Sequence, residues 1–351
     1  MHILSHKKNI PLVLAVLMSV TISIGGCNQQ NPSTSMDAKS QQEQAMPEAN
    51  VQAEKSEAGL SVLTTIYPVT YLSQEIAGEF GQVESLLPQG AEPHDWEPSP
   101  QDIARLEGAD ILVMNGAGIE LWVDDLLASS NNKDVLVVDT SKNTELLEVQ
   151  QENEMLGEHM DENDAHHDEA HELAHQHSAF DPHLWLSPKR ALQQAEAIYE
   201  SFIKADEQHK EGYTANYEAL KAKLEALDKA YEEVMSKAST NKLVSSHGAF
   251  AYLAHDYGLE NIGIAGINAD QEPSPQTMAQ LIDFVKAHEL KVIFTEEFVS
   301  PKIAEVVAKE SGVRLATLYT VEALSEEDAR AGLDYYTLME KNLETLSSSL
   351  L

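Results

Sequence analysis

From Leu60 to the C-terminus, short runs rich in β-branched and apolar residues alternate with helical stretches, and the alternation is played out twice. In the first pass the strands fall at Leu60–Ile66, Gln82–Leu87, Ile111–Met114 and Val135–Val138. Between and after them come helices over Pro68–Glu79, from Ser99-Pro100, over Glu120–Ala128, and from Ser187-Pro188 to Lys204. The second pass places strands at Lys242–Ser246, Asn261–Ile264, Val292–Thr295 and Val313–Leu318. Its helices run over Gly248–Tyr257, from Ser274-Pro275 to His288, from Ser300-Pro301, and over 326–346. A strand followed by a helical crossover returns parallel, and a parallel sheet is covered on both faces. Serine before proline recurs as the opening device because serine caps the first turn and proline fits its first position.

The two passes are joined by Tyr213–Lys237, where Tyr213, Tyr217, Leu220, Leu224, Leu227 and Tyr231 recur at helical spacing without proline or glycine. The rod would be about 38 Å long at 1.5 Å per residue. The fold class is therefore α/β with two lobes, each a short parallel sheet flanked by helices, joined by one long rigid helix. The expected boundaries are 60–204 for the first lobe, 205–239 for the connector and 240–351 for the second lobe.

The segment ahead of Leu60 has a different character. His6-Lys7-Lys8 is followed by an apolar stretch from Ile10 to Ile24, short for a membrane span, and then by Ile24-Gly25-Gly26-Cys27. Small residues before the chain's single cysteine resemble a bacterial lipoprotein signal, with a signal peptide over 1–26 and lipid on Cys27; the alternative is an uncleaved anchor helix, and either places the rest of the chain outside the cytoplasm. Residues 28–59 hold no aromatic side chain and read as a flexible tether, about 30 Å in root-mean-square span. A lone cysteine permits no disulfide within the chain, so the folded part depends on its cores. Lys and Arg number 23 against 58 Asp and Glu, a net charge of −35, which excludes phosphate tracking along nucleic acid and would concentrate cations.

Histidine is where chemistry enters. Six of the 14 histidines, His159, His166, His167, His171, His175 and His177, lie in an acidic stretch almost devoid of large apolar residues, within a loop of about 150–180. Short His-rich tracts are candidate metal collectors. Three further histidines stand alone beside strand ends or helix starts: His94 in the 88–98 loop, His183 before the Ser187-Pro188 helix, and His247 at a strand end. Open parallel sheets bind ligands beyond the carboxyl ends of their strands. Singly each histidine suits a structural role; together, in an acidic exported chain, they suggest one metal site. Trp96 and Trp185 each follow a histidine by two positions and could wall such a site, or simply fill the core. Asp95 or Asp181 could accept a second ring N–H.

Pro93-His94-Asp95-Trp96-Glu97-Pro98, Asp181-Pro182-His183-Leu184-Trp185-Leu186-Ser187-Pro188 and Ser246-His247-Gly248-Ala249-Phe250-Ala251-Tyr252 resemble the signature segments of the metal-binding solute-binding proteins of ABC transporters, in the zinc-uptake branch. The resemblance covers about residues 60–350. It implies a metal cleft between two α/β lobes and a membrane permease with its ATPase as partners; with the lipoprotein-like N-terminus, the expected location is extracytoplasmic on a lipid anchor at Cys27, and the expected state a monomer. It implies Zn2+ on His94, His183 and His247, with Glu322 as fourth ligand; Glu296, Glu297 or a water are the alternatives. Histidine at position 247, where manganese relatives carry a carboxylate, favours zinc. The expected function is a zinc receptor and not an enzyme. The competing readings are a manganese or other divalent-metal receptor, an adhesin lipoprotein, and an extracellular zinc hydrolase.

Overall fold

The computed structural model describes residues 59–94, 96–149, 179–267 and 273–351. The signal peptide, Cys27, nearly all of the tether, Asp95 and the six histidines of the 150–180 stretch lie outside the described residues.

The first lobe is built from β1 (Leu60–Thr64), α1 (Tyr67–Ala77), β2 (Gly81–Ser85), α2 (Pro100–Leu106), β3 (Ile111–Met114), α3 (Val123–Ser129) and β4 (Leu136–Asp139). After the undescribed stretch, α4 (Pro188–Ala205) leads into α5 (Lys210–Met235). The second lobe follows with β5 (Lys242–Ser245), α6 (Ala251–Asp256), β6 (Glu260–Gly263), α7 (Pro275–Ala287), β7 (Val292–Thr295), α8 (Lys302–Ser311), β8 (Arg314–Thr317), α9 (Glu326–Arg330) and α10 (Tyr335–Leu350). Both sheets are parallel and share one strand order, β2-β1-β3-β4 and β6-β5-β7-β8. In each, the order reverses beside the first strand, which opens a crevice at the strands' carboxyl ends.

α5 spans 26 residues, about 39 Å at the standard rise. Its buried stripe is Tyr213, Tyr217, Leu220, Leu224, Leu227, Tyr231 and Met235. The stripe lies on α1 and α4 and, further along, on α10. Tyr213 donates its hydroxyl to Phe80 O at 2.9 Å, and Tyr231 donates to Met339 O at 2.8 Å, so each tyrosine satisfies its polar tip while its ring fills the core.

Two sequence expectations shift, each for a local reason. The closing helix over 326–346 is broken into α9 and α10: Gly332 adopts φ +74°, which stops a helix at no steric cost to glycine, and Asp334 caps α10 by accepting the Thr337 N–H at 2.8 Å. The helix expected from Glu120 begins only at Val123. Glu120 is buried and accepts the backbone N–H groups of Asn115 at 2.7 Å and Gly116 at 3.0 Å, so its carboxylate shapes the turn after β3.

One apolar cluster runs through both lobes. It joins Ile66, Ile111 and Trp185 of the first to Phe250, Leu318 and Val321 of the second. Trp185 donates its indole N–H to Thr320 O at 2.7 Å, and Tyr335, at the start of α10, donates its hydroxyl to Trp185 O at 2.5 Å. A second tie is ionic. Arg190 on α4 grips the Asp256 carboxylate at the end of α6 with Nε at 2.8 Å and Nη2 at 2.9 Å.

Candidate metal centre

His183 sits just before the helical turn at Leu184–Leu186 that leads into α4, with its side chain fully buried. Asp181 fixes the segment twice: its Oδ1 accepts the His183 backbone N–H at 2.8 Å and lies 2.9 Å from ring Nδ1. The Nδ1 proton is therefore held by Asp181, and Nε2 faces inward. Asn115, after β3, donates to Pro182 O at 2.9 Å and holds the same segment from below.

His247 follows β5 and is equally buried. Glu296, following β7, accepts its backbone N–H through Oε1 at 3.0 Å and pairs with ring Nδ1 through Oε2. The two lobes thus repeat one device: a buried carboxylate bonds a histidine's main chain and one ring nitrogen, and presents the other nitrogen to the crevice. The turn containing His247 can press against β6 because residue 263 is glycine. A Cβ there would stand 2.7 Å from Gly248 N and 2.9 Å from His247 C.

Glu322 comes from the turn after β8. Its Oε1 lies 3.3 Å from His183 Nε2 and 3.7 Å from His247 Nε2. Those three atoms are all buried and none has a hydrogen-bond partner. His94, in the loop after β2, is less buried; its ring centroid is 5.5 Å from that of His183, and ligand atoms of His94, His183 and Glu322 lie within 4.8 Å of one another. The His183 and His247 rings are 5.3 Å apart, centre to centre. His94, His183 and Glu322 therefore come together, and His247 adjoins them through Glu322 and His183.

The structure separates the two acids that stood as alternatives. Glu296 is engaged with His247, as above. Glu297 accepts the backbone N–H groups of Thr320 at 3.0 Å and Val321 at 3.1 Å. Burial lifts the Glu297 carboxyl to about 7 despite those amides. Burial also works to raise Glu322, but the imidazoles of His183, His247 and His94 outweigh it and hold the carboxyl at about 2. For His183, burial pushes the imidazole down, and Asp181 and Glu322 together carry it up to about 10. His247 is raised against its burial by Glu296 and Glu322.

The Trp185 ring is fully buried, 5.3 Å from that of His183, and closes one side of the cluster. Trp96 is half-buried and packs edge-on to Trp122 at 4.8 Å. With His94 the pair lines a cavity of about 600 Å³. Sequence reasoning missed the roles of Glu296 and Glu297, and missed Tyr252, whose hydroxyl donates to Asp181 O at 2.8 Å and so ties α6 to the segment before His183.

Comparison with known proteins matches this architecture. The high-affinity zinc uptake system protein ZnuA of Bacillus subtilis is 38% identical over 292 residues, 83% of this chain and 88% of that protein. The zinc-binding lipoprotein AdcA of Streptococcus pneumoniae serotype 4 is 38% identical over 295 residues, 84% of this chain; the chain spans 56% of AdcA's length. Among solved structures, the Zn(II)-bound ZnuA-like domain of Streptococcus pneumoniae AdcA superposes with a TM-score of 0.68 at 36% identity, covering 83% of this chain and 99% of that one. The laminin-binding protein Lmb of Streptococcus agalactiae, described as bifunctional with adhesin and metal transporting activity, gives 0.70 at 32% identity over 84% of this chain and all of that one. Residues 62–349 match the family described as ZnuA, zinc-uptake complex component A, periplasmic, and the chain belongs to that family.

Proposed function

We propose that the protein is an extracytoplasmic receptor that holds one Zn2+ on His94, His183, His247 and Glu322 and hands it to the permease of an ABC importer, whose ATPase drives uptake. One observation carries the reading: His183 Nε2, His247 Nε2 and Glu322 Oε1 are buried, face one another at 3.3 and 3.7 Å, and have no hydrogen bonds to satisfy them. Buried polar atoms without partners are costly, and a cation among them removes the cost. Tetrahedral zinc with bonds of about 2.0–2.1 Å sets its ligand atoms roughly 3.3 Å apart. Three imidazoles and one carboxylate suit zinc better than manganese, which favours oxygen-rich sets.

Four protein donors also leave no open position for an activated water, which a zinc hydrolase needs. The neighbouring acids Asp181, Glu296 and Glu297 are each engaged with a ring nitrogen or backbone amides. Anchoring through lipid on Cys27, a monomeric state and a collecting role for His159, His166, His167, His171, His175 and His177 belong to the same reading. Isothermal titration of the metal-free protein tests it: wild type takes up one tight zinc, and His247→Ala weakens that event at least a hundredfold. Equal affinity in the two proteins would refute the site.

A further inference from the structure

We infer that Glu297 is the positioning residue for the fourth ligand: its carboxylate holds Thr320 and Val321 in a strained turn that delivers Glu322 to the metal. The inference rests on the reading of Glu322 as a ligand.

Val321 adopts φ +54°. That region is nearly closed to a β-branched side chain, because its Cβ crowds the following carbonyl. Among the described residues only Ala117 and Glu289 share a positive φ without being glycine. Val321 is also fully buried. Such a conformation persists only where the surroundings hold it.

The surroundings here are specific. Glu297 Oε2 accepts the Thr320 N–H at 3.0 Å and Oε1 accepts the Val321 N–H at 3.1 Å. Two consecutive amides converging on one carboxyl group form a concave nest, a geometry that comes with one residue in the left-handed region. The first lobe adds two more restraints. Thr320 O accepts the Trp185 indole N–H at 2.7 Å, and Glu322 O accepts the Tyr67 N–H at 3.3 Å. Both Glu297 oxygens are thus committed to the turn. Glu297 acts on the metal through Glu322, and the strain at Val321 is what its carboxylate has to overcome.

The consequence is a rescue pattern. Glu297→Gln keeps size and shape but sets an amide NH2 against one of the two N–H groups. The turn then relaxes towards an extended path and carries Glu322 away. Glycine at 321 takes the left-handed conformation without steric cost, so Val321→Gly restores the turn even without the carboxylate. Strain of this class corresponds to roughly tenfold or more in an equilibrium.

The experiment measures zinc affinity by competition with a chromophoric chelator, and the visible spectrum of the Co2+-loaded protein as a report of coordination, in four proteins. These are wild type, Glu322→Ala, Glu297→Gln and Glu297→Gln with Val321→Gly. Glu297→Gln is expected to weaken zinc about tenfold or more and to move the Co2+ spectrum towards that of Glu322→Ala. Adding Val321→Gly is expected to recover most of the affinity and the wild-type spectrum. If Glu322→Ala alone leaves zinc affinity unchanged, the ligand assignment beneath the inference fails. If Glu322→Ala weakens zinc while Glu297→Gln stays within twofold of wild type, or if Val321→Gly brings no recovery, the positioning role is wrong. Should Glu297→Gln not fold, Glu297→Asp, too short to reach both amides, is read by the same criteria.

Discussion

The ion pair between Arg190 and Asp256 can be broken from one side, with a consequence set by its burial. Only 8% of the Arg190 side chain and 7% of the Asp256 side chain are exposed. The guanidinium makes two bonds to the carboxylate and one, from Nη1, to Glu145 O at 2.7 Å; Ser187 Oγ donates to the same carboxylate at 2.7 Å. Asp256→Ala would leave a buried cation with one carbonyl partner and a serine hydroxyl with none. Removing one member of such a pair costs about 3–5 kcal/mol, whereas replacing both by apolar residues is often neutral. A body of this size has an unfolding entropy near 0.6 kcal/mol per kelvin, so the single change should lower Tm by about 5–8 °C. Chemical denaturation of the metal-free protein measures the cost directly. The double change Arg190→Met with Asp256→Leu should regain most of it.

The pH dependence of that pair has a definite sign. Burial raises the Asp256 carboxyl, but Arg190, Ser187 and His255 outweigh it and hold the group below its ordinary value. A carboxyl depressed by folding binds fewer protons in the folded state, so its contribution is complete above its unfolded value of about 4 and is lost as pH falls through the folded one. The stability difference between wild type and Asp256→Ala should therefore shrink as acid is added below about pH 4. Loss of less than about 1 kcal/mol in Asp256→Ala at neutral pH, the range of an exposed pair, would refute the account of the clamp.

Three other outcomes follow from the site. With the metal-free His183 imidazole carried up to about 10, zinc has to displace a proton at neutral pH, so affinity should rise with pH. Calorimetry in buffers of different ionisation enthalpy should count about one proton or more released per ion, and a pH-independent affinity would contradict the protonated ring. Trp185, 5.3 Å from the His183 ring, should dominate the zinc-induced change in tryptophan emission, so Trp185→Phe should remove most of the change and Trp122→Phe should keep it. Deleting residues 158–177 should leave the tight site and remove weaker ones; loss of the tight site would overturn the division between collector and receptor.

The fold could be read from the sequence because parallel sheets leave a plain trace. Strands buried on both faces, such as Ile111–Met114 and Val292–Thr295, read as short apolar runs, and both match the observed bounds. The histidines stood out because each lies beside a strand end or a helix start. The partners that orient them left less of a trace. Asp181 is adjacent enough to His183 for the pairing to be considered in advance. Glu296 and Glu297 are consecutive acids after one strand, and nothing local says which engages which neighbour. That choice depends on two adjacent strands, β5 bringing His247 alongside one acid and β8 bringing the 320–321 turn to the other. Val321 gives no warning at all, since valine is a residue that avoids the conformation it adopts here. The break between α9 and α10 was more accessible: Gly332 followed by Asp334 is a stop and a cap in succession.

The decisive measurement is zinc K-edge X-ray absorption on the protein carrying one equivalent of Zn2+. Four light ligands, with the multiple-scattering pattern of three imidazoles near 2.0–2.1 Å and one carboxylate oxygen, is the result required by shared coordination across the two lobes. A first shell with one imidazole or none, or one made of oxygen alone, would contradict it.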